Sequence, residues 1–128
     1  MAGSDEEPIV VLMTAANREE AGRIAEELVS ARLAACVQIL PEIQSVYRWQ
    51  GKVERETEVL LLAKTIRGKF DELDRKVRAS HSYETPEIVA LPVTAISEPY
   101  LEWLGATVAS AEESRRAPGI GPRSTKPH

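Results

Sequence analysis

Val59-Leu60-Leu61-Leu62-Ala63 is an unbroken apolar run inside a longer segment, Val53 to Ile66, that lacks proline and glycine and carries five β-branched residues. Such a segment reads as a long strand, and apolar side chains at consecutive positions place it where both faces are covered. Ile9-Val10-Val11-Leu12-Met13-Thr14 has the same character and predicts a second central strand. Upstream of the long strand, Gln50-Gly51-Lys52 is a turn signal. Before it, Cys36 to Leu40 and Ile43 to Trp49 read as one strand interrupted by Pro41. Between the first two strands, Asn17 stands three residues before Glu20, a capping-box spacing. Ala21, Ile24, Ala25, Leu28 and Val29 then recur at helical intervals, predicting a helix to about Leu33. Downstream, Phe70, Leu73 and Val77 mark one face of a second helix, and Glu87 to Ile96 reads as the last strand. Ser97 is placed to cap a third helix, with Pro99 in its first turn and Leu101, Leu104 and Val108 along it.

The order β-α-β-β-α-β plus a C-terminal helix predicts an α+β fold of the ferredoxin-like, split βαβ kind, with an antiparallel sheet. In that arrangement the first and third strands are central and the other two are edges. The prolines agree, because Pro41 and Pro92 fall in the expected edge strands and proline lacks the N–H that a ladder needs. Helices cover one face of such a sheet, yet both central strands are apolar on both faces. The second face therefore needs a cover: the third helix can supply part of it, and a partner subunit is expected to supply the rest. The alternative is a monomer whose third helix and hairpin fold back over the sheet. Tyr47, Trp49 and Val53 on that hairpin would reach past the core toward a neighbour's strand.

The chain has 128 residues, 43% hydrophobic and 28% charged, with a net charge of −4, which fits one folded domain. Its pI of about 5.3 argues against a nucleic-acid partner. A single cysteine, Cys36, builds no disulfide framework and points to a reducing, cytoplasmic home. The longest apolar run near the front is the five residues Ile9 to Met13, too short for a signal sequence or a membrane span. Residues 1–7 form an acidic head of charge −3, residues 8–108 the domain, and residues 109–128 a tail of charge +2. The tail holds Pro118, Pro122, Pro127, Gly119 and Gly121 without apolar periodicity, so both ends are expected to be disordered.

Several segments resemble the CutA divalent-ion tolerance family. They are Glu20-Ala21, Leu33-Ala34-Ala35-Cys36-Val37, Ser45-Val46-Tyr47-Arg48-Trp49-Gln50-Gly51-Lys52, Glu58 with Lys64-Thr65, His81-Ser82-Tyr83-Glu84-Thr85-Pro86-Glu87-Ile88, and Tyr100-Leu101-Glu102-Trp103-Leu104. The resemblance runs in order from about Ile9 to Val108. It implies a ferredoxin-like subunit in a homotrimer and a link to metal tolerance, with copper the metal most often named. The family pattern has proline where Ser82 stands. Freed of it, Ser82 gains an N–H and is expected to loosen the segment that orients His81. Members linked to copper carry a thiol near Met13 and a second histidine where Ser80 stands. A glycine is also frequent near Ala95-Ile96-Ser97.

His81, Cys36 and Met13 are the candidate metal ligands, soft or borderline donors suited to copper, or to another divalent cation through His81. One cysteine and one histidine in the domain cannot close a zinc site, which wants four ligands, so a site would be shared between subunits. The alternatives are an inert, buried Cys36 and a His81 that pairs with the end of its helix. Trp49, Glu58, Lys64, Tyr83 and Glu87 are candidates for an intersubunit pocket that would take an anion or metabolite. Lys64 would offer a point charge, and Tyr83 and Trp49 flat faces. The alternative is an internal network, with Lys64 paired to Glu58 or Glu87 and Tyr83 bonded to backbone. Glu19-Glu20 and Glu26-Glu27 read as solvated pairs. No P-loop, GxGxxG or GxSxG is present, and the chain is read as non-catalytic, without an organic cofactor. Three functions fit these residues: a metal-tolerance homotrimer that binds a cation, a small-ligand-responsive regulatory or scaffold trimer, or a structural interaction protein with no ligand.

Overall fold

The computed structural model describes residues 4–109. Within them lie β1 (Pro8–Ala15), α1 (Arg18–Ser30), β2 (Cys36–Trp49), β3 (Lys52–Ile66), α2 (Phe70–Ser80), β4 (Ile88–Pro92) and α3 (Glu98–Val108). The four strands form one antiparallel sheet in the order β2-β3-β1-β4, with β1 and β3 at the centre. The fold is therefore α+β; Pro41 and Pro92 lie on the edge strands β2 and β4, while Pro8 is the first residue of central β1. Ser4–Glu6 forms a short 3-10 turn, and the Arg67 N–H donates to the Glu7 carbonyl at 2.8 Å. Most of the expected tail, residues 110–128, lies outside the described residues. No helix among the described residues is long and apolar enough to cross a membrane.

Alternation along the central strands sorts the core. Ile9, Val11, Met13 and Ala15 of β1 and Val59, Leu61 and Ala63 of β3 are buried beneath α1 and α2, which contribute Ala21, Ile24, Leu28, Leu73 and Val77. The opposite face carries Val10 and Leu12 beside Leu60 and Leu62, all half-buried. There α3 packs Leu104 and Val108 with Ala35, against Ile66, Tyr100 and Trp103. On β4, Val89 and Leu91 stay exposed in register with Leu12 and Val10.

Three element ends differ from expectation for identifiable reasons. Helix α1 stops at Ser30 rather than near Leu33, because Arg32 adopts φ 60°. The Arg32 N–H then donates to Val29 O and the Leu33 N–H to Leu28 O, closing a Schellman motif whose apolar pair is Leu28 and Leu33. Strand β4 ends at Pro92 rather than Ile96, since Pro92 pairs with Ile9 and β1 begins at Pro8, leaving later residues without a partner. Strand β2 is not broken at Pro41. It continues through a bulge in which Pro41 and Glu42 together face Val59, between the pairs Leu40–Leu60 and Ile43–Glu58. Gln50 and Gly51, at φ 50° and 80°, form the two-residue hairpin turn expected there. Ser97 occupies the N-cap of α3 but makes no side-chain capping bond.

Candidate functional site: a buried His–Tyr–Glu cluster

His81 follows α2 directly, and its side chain is fully buried. The Tyr83 N–H donates to Nδ1 at 3.0 Å, which leaves the ring proton on Nε2. Nε2–H in turn donates to the Thr14 carbonyl at 2.7 Å, near the end of β1. The imidazole thus clamps its own loop to the central strand. The Tyr83 ring lies 4.7 Å from that of His81, and its hydroxyl donates to Glu58 Oε2 at 2.8 Å. Burial, and the Glu58 carboxylate beside it, push the Tyr83 hydroxyl well above the usual tyrosine range, so the phenol stays protonated as a donor.

Glu20 completes the cluster. It is only 6% exposed, on the first turn of α1, where Asn17 Oδ1 accepts the Glu20 N–H at 2.8 Å. Its own Oε1 accepts the Ala16 N–H at 2.9 Å and the Ser82 hydroxyl at 3.1 Å, while Oε2 accepts the Ser82 N–H at 2.7 Å. The reading of Glu20 as a solvated surface residue is therefore wrong. The Asn17-to-Glu20 spacing announced the cap, but no local signal pointed to Ser82. Nor does Ser82 loosen the loop: the N–H that a proline would lack is the one that ties the loop to Glu20.

The sequence-predicted metal donors do not converge within one chain. Cys36 is in register with Lys64 and hence with Val10, four residues along β1 from Thr14, which His81 contacts, a spacing of about 13 Å. Cys36 is partly buried and lies beside Tyr100, whose hydroxyl is pushed up by burial and by that thiol. Met13 is 1% exposed in the apolar core. With both ring nitrogens of His81 engaged, the three side chains do not fit a metal ion within a single chain. Among the described residues, no three His, Cys, Asp or Glu side chains are grouped to hold one.

Of the pocket candidates, Tyr83 and Glu58 meet. Lys64 does not pair with Glu58 or Glu87; its Nζ donates to Gln38 Oε1 at 2.6 Å. Glu87 is exposed, and Trp49 stands 55% exposed at the hairpin end.

A family model described as "CutA1 divalent ion tolerance protein" matches residues 9–107. The chain belongs to the CutA1 family. The divalent-cation tolerance protein CutA of Thermus thermophilus is 50% identical over 95 residues, covering 74% of this chain and 92% of that one. The chloroplastic protein CutA of Arabidopsis thaliana is 48% identical over 96 residues, covering 75% of this chain and 53% of its own length. This chain thus spans about half the length of the plant relatives it matches. Among solved structures, CutA1 from Oryza sativa superposes with a TM-score of 0.79 at 43% identity, covering 82% of this chain and 96% of the other. A CutA from Archaeoglobus fulgidus, described as a periplasmic divalent cation tolerance protein, gives 0.78 at 41%, covering 80% and 99%. The CutA1 match begins at Ile9 and ends at Thr107, so it takes in the cluster and stops at the tail.

Proposed function

We propose that this chain acts as a non-catalytic homotrimer in divalent-cation tolerance, with copper the leading cation, each subunit being a ferredoxin-like βαββαβ unit with an added C-terminal helix. The uncovered apolar surface carries this reading. Val89 and Leu91 are 45% and 43% exposed on the sheet face opposite α1 and α2, and Trp49 and Val53 project from the hairpin at 55% and 63%. Apolar area of this extent is stabilised by burial against further copies, and a closed ring of subunits satisfies every copy equally. The strand order β2-β3-β1-β4 supports the ferredoxin-like assignment. Light scattering tests the assembly: a particle of about three times 14.1 kDa is expected, and one of 14.1 kDa at micromolar concentration overturns it.

Cys36 is the donor that favours a metal role, as a partly exposed soft thiol present once per subunit. Titration with Cu(I) is expected to show binding that Cys36→Ser removes and His81→Ala leaves unchanged. An affinity no tighter than about 100 μM, a binding free energy of roughly −5.5 kcal/mol, defeats the metal part. The Tyr83–Glu58 pair favours a second reading, a regulatory or scaffold trimer holding an anion or metabolite in its intersubunit clefts. A metabolite that raises the melting temperature after chelation supports that one. The single thiol supports a cytoplasmic location, and the acidic pI supports the absence of a nucleic-acid partner.

A further inference from the structure

We propose that the hairpin arm of one copy docks on the arm of a second copy, its acidic face against that copy's basic face. This contact joins subunits of the homotrimer proposed above and depends on that reading. β1 pairs with β3 only as far as Ala15 and Val59. Past that point β2 and β3 run on as a two-stranded arm, residues 43–49 against 52–58, about 23 Å long. A two-stranded ribbon by itself is marginally stable in water, so the arm needs a surface to lie on. Val46 and Val53 on one of its faces, and Trp49 on the other, are exposed in the single chain.

Register divides the charges of the arm by sign. Ile43 opposes Glu58, Ser45 opposes Glu56 and Tyr47 opposes Glu54, so one face carries three carboxylates, with Lys52 opposite Trp49 as its one cation. Val46 opposes Arg55 and Arg48 opposes Val53, so the other face carries two guanidinium groups and no acid. Glu58 and Glu56 accept the neutral hydroxyls of Tyr83 and Tyr47. Glu54, Arg48 and Arg55 have no ion-pair partner among the described residues. The two faces are thus opposite in charge, and neither is compensated within the chain.

This pattern selects how copies meet. A two-fold contact sets a face against itself, bringing Glu54 and Glu56 toward their own counterparts, or Arg48 and Arg55 toward theirs, and like charges so placed repel. A three-fold ring sets one face against the other at every interface. Carboxylate then meets guanidinium, and Tyr47 and Trp49 meet Val46 and Val53. Each copy offers one face to a neighbour and receives the other neighbour on its second.

Light scattering of the full chain over a concentration series at low salt tests it. Glu54→Arg/Glu56→Arg should raise the concentration of half-assembly at least about tenfold, and so should Arg48→Glu/Arg55→Glu. Combining the two reversals exchanges the signs of the faces and should restore assembly to within about threefold of the unaltered chain. In 1 M salt the penalty of each single reversal should shrink. A trimeric unaltered chain whose association neither reversal weakens overturns this contact and leaves the homotrimer standing. A combined variant that fails to recover does the same, as does a penalty undiminished in 1 M salt. An unaltered chain that is monomeric at micromolar concentration overturns both.

Discussion

Glu20 Oε2 accepts the Ser82 N–H at 2.7 Å, joining the first turn of α1 to the loop after α2 across 62 positions of sequence. Burial pushes the Glu20 carboxyl up, but the Ala16 N–H, the Ser82 hydroxyl and the Ser82 N–H outweigh it and hold the group below the usual glutamate value near 4.5. A folded-state value below the unfolded one contributes stability above about pH 4.5. That contribution is lost as pH falls through the folded-state value. Glu20→Gln should cost roughly 1.5–3 kcal/mol at pH 7, the range for hydrogen bonds to a charged group, and the two proteins should converge in acid. Urea unfolding between pH 3 and pH 7, at fixed protein concentration, measures this. A constant difference across that range contradicts it.

Ser82 makes two bonds to Glu20, and substitution separates them. Ser82→Ala removes the hydroxyl and keeps the N–H, so a loss of about 0.5–1.5 kcal/mol is expected. Ser82→Pro removes both donors and should cost more. In the Glu20→Gln background the cost of Ser82→Pro should shrink by at least about 0.5 kcal/mol, the signature of coupled neighbours. Equal costs in both backgrounds would show that the contact is energetically idle.

Tyr83→Phe deletes the donor to Glu58, a carboxylate only 6% exposed. The stranded acceptor should lower stability by roughly 1–3 kcal/mol. An absorbance titration gives a second readout. Because the Tyr83 hydroxyl ionises above the usual tyrosine range, the variant should lose the most alkaline step of the curve and keep the earlier ones.

Thr65 is fully buried on β3, and its hydroxyl has no hydrogen-bond partner among the described residues. Thr65→Val keeps the shape and removes an unsatisfied polar group, so stability should stay level or rise by up to about 1 kcal/mol. A loss above about 1 kcal/mol would reveal a partner for that hydroxyl.

The architecture was legible where local pattern and global role coincide. Apolar runs at Ile9 to Met13 and Val59 to Ala63 require central strands, and Pro92 requires an edge, so strand order follows from local chemistry. The end of α1 was less legible, because the positive φ of Arg32 is stabilised by the packing of Leu33 on Leu28 rather than by a glycine. The cluster was half legible. His81, Tyr83 and Glu58 stood out by residue type, but their partners Thr14 and Glu20 are remote in sequence. Lys64 found Gln38, its diagonal neighbour on the adjacent strand β2, rather than an acid, since strand register sets which side chains share a face.

The bulge at Pro41 and Glu42 sets the parity of the hairpin. Before it, even-numbered residues of β2 oppose even-numbered residues of β3; beyond it, Ile43, Ser45, Tyr47 and Trp49 oppose Glu58, Glu56, Glu54 and Lys52. The extra residue therefore turns Tyr47 and Trp49 to the side of the sheet that carries Leu60 and Leu62. Deleting one residue there would act as a reading-frame shift written in side chains. Every β2 residue from Ile43 to Trp49 would change faces, with its identity unaltered.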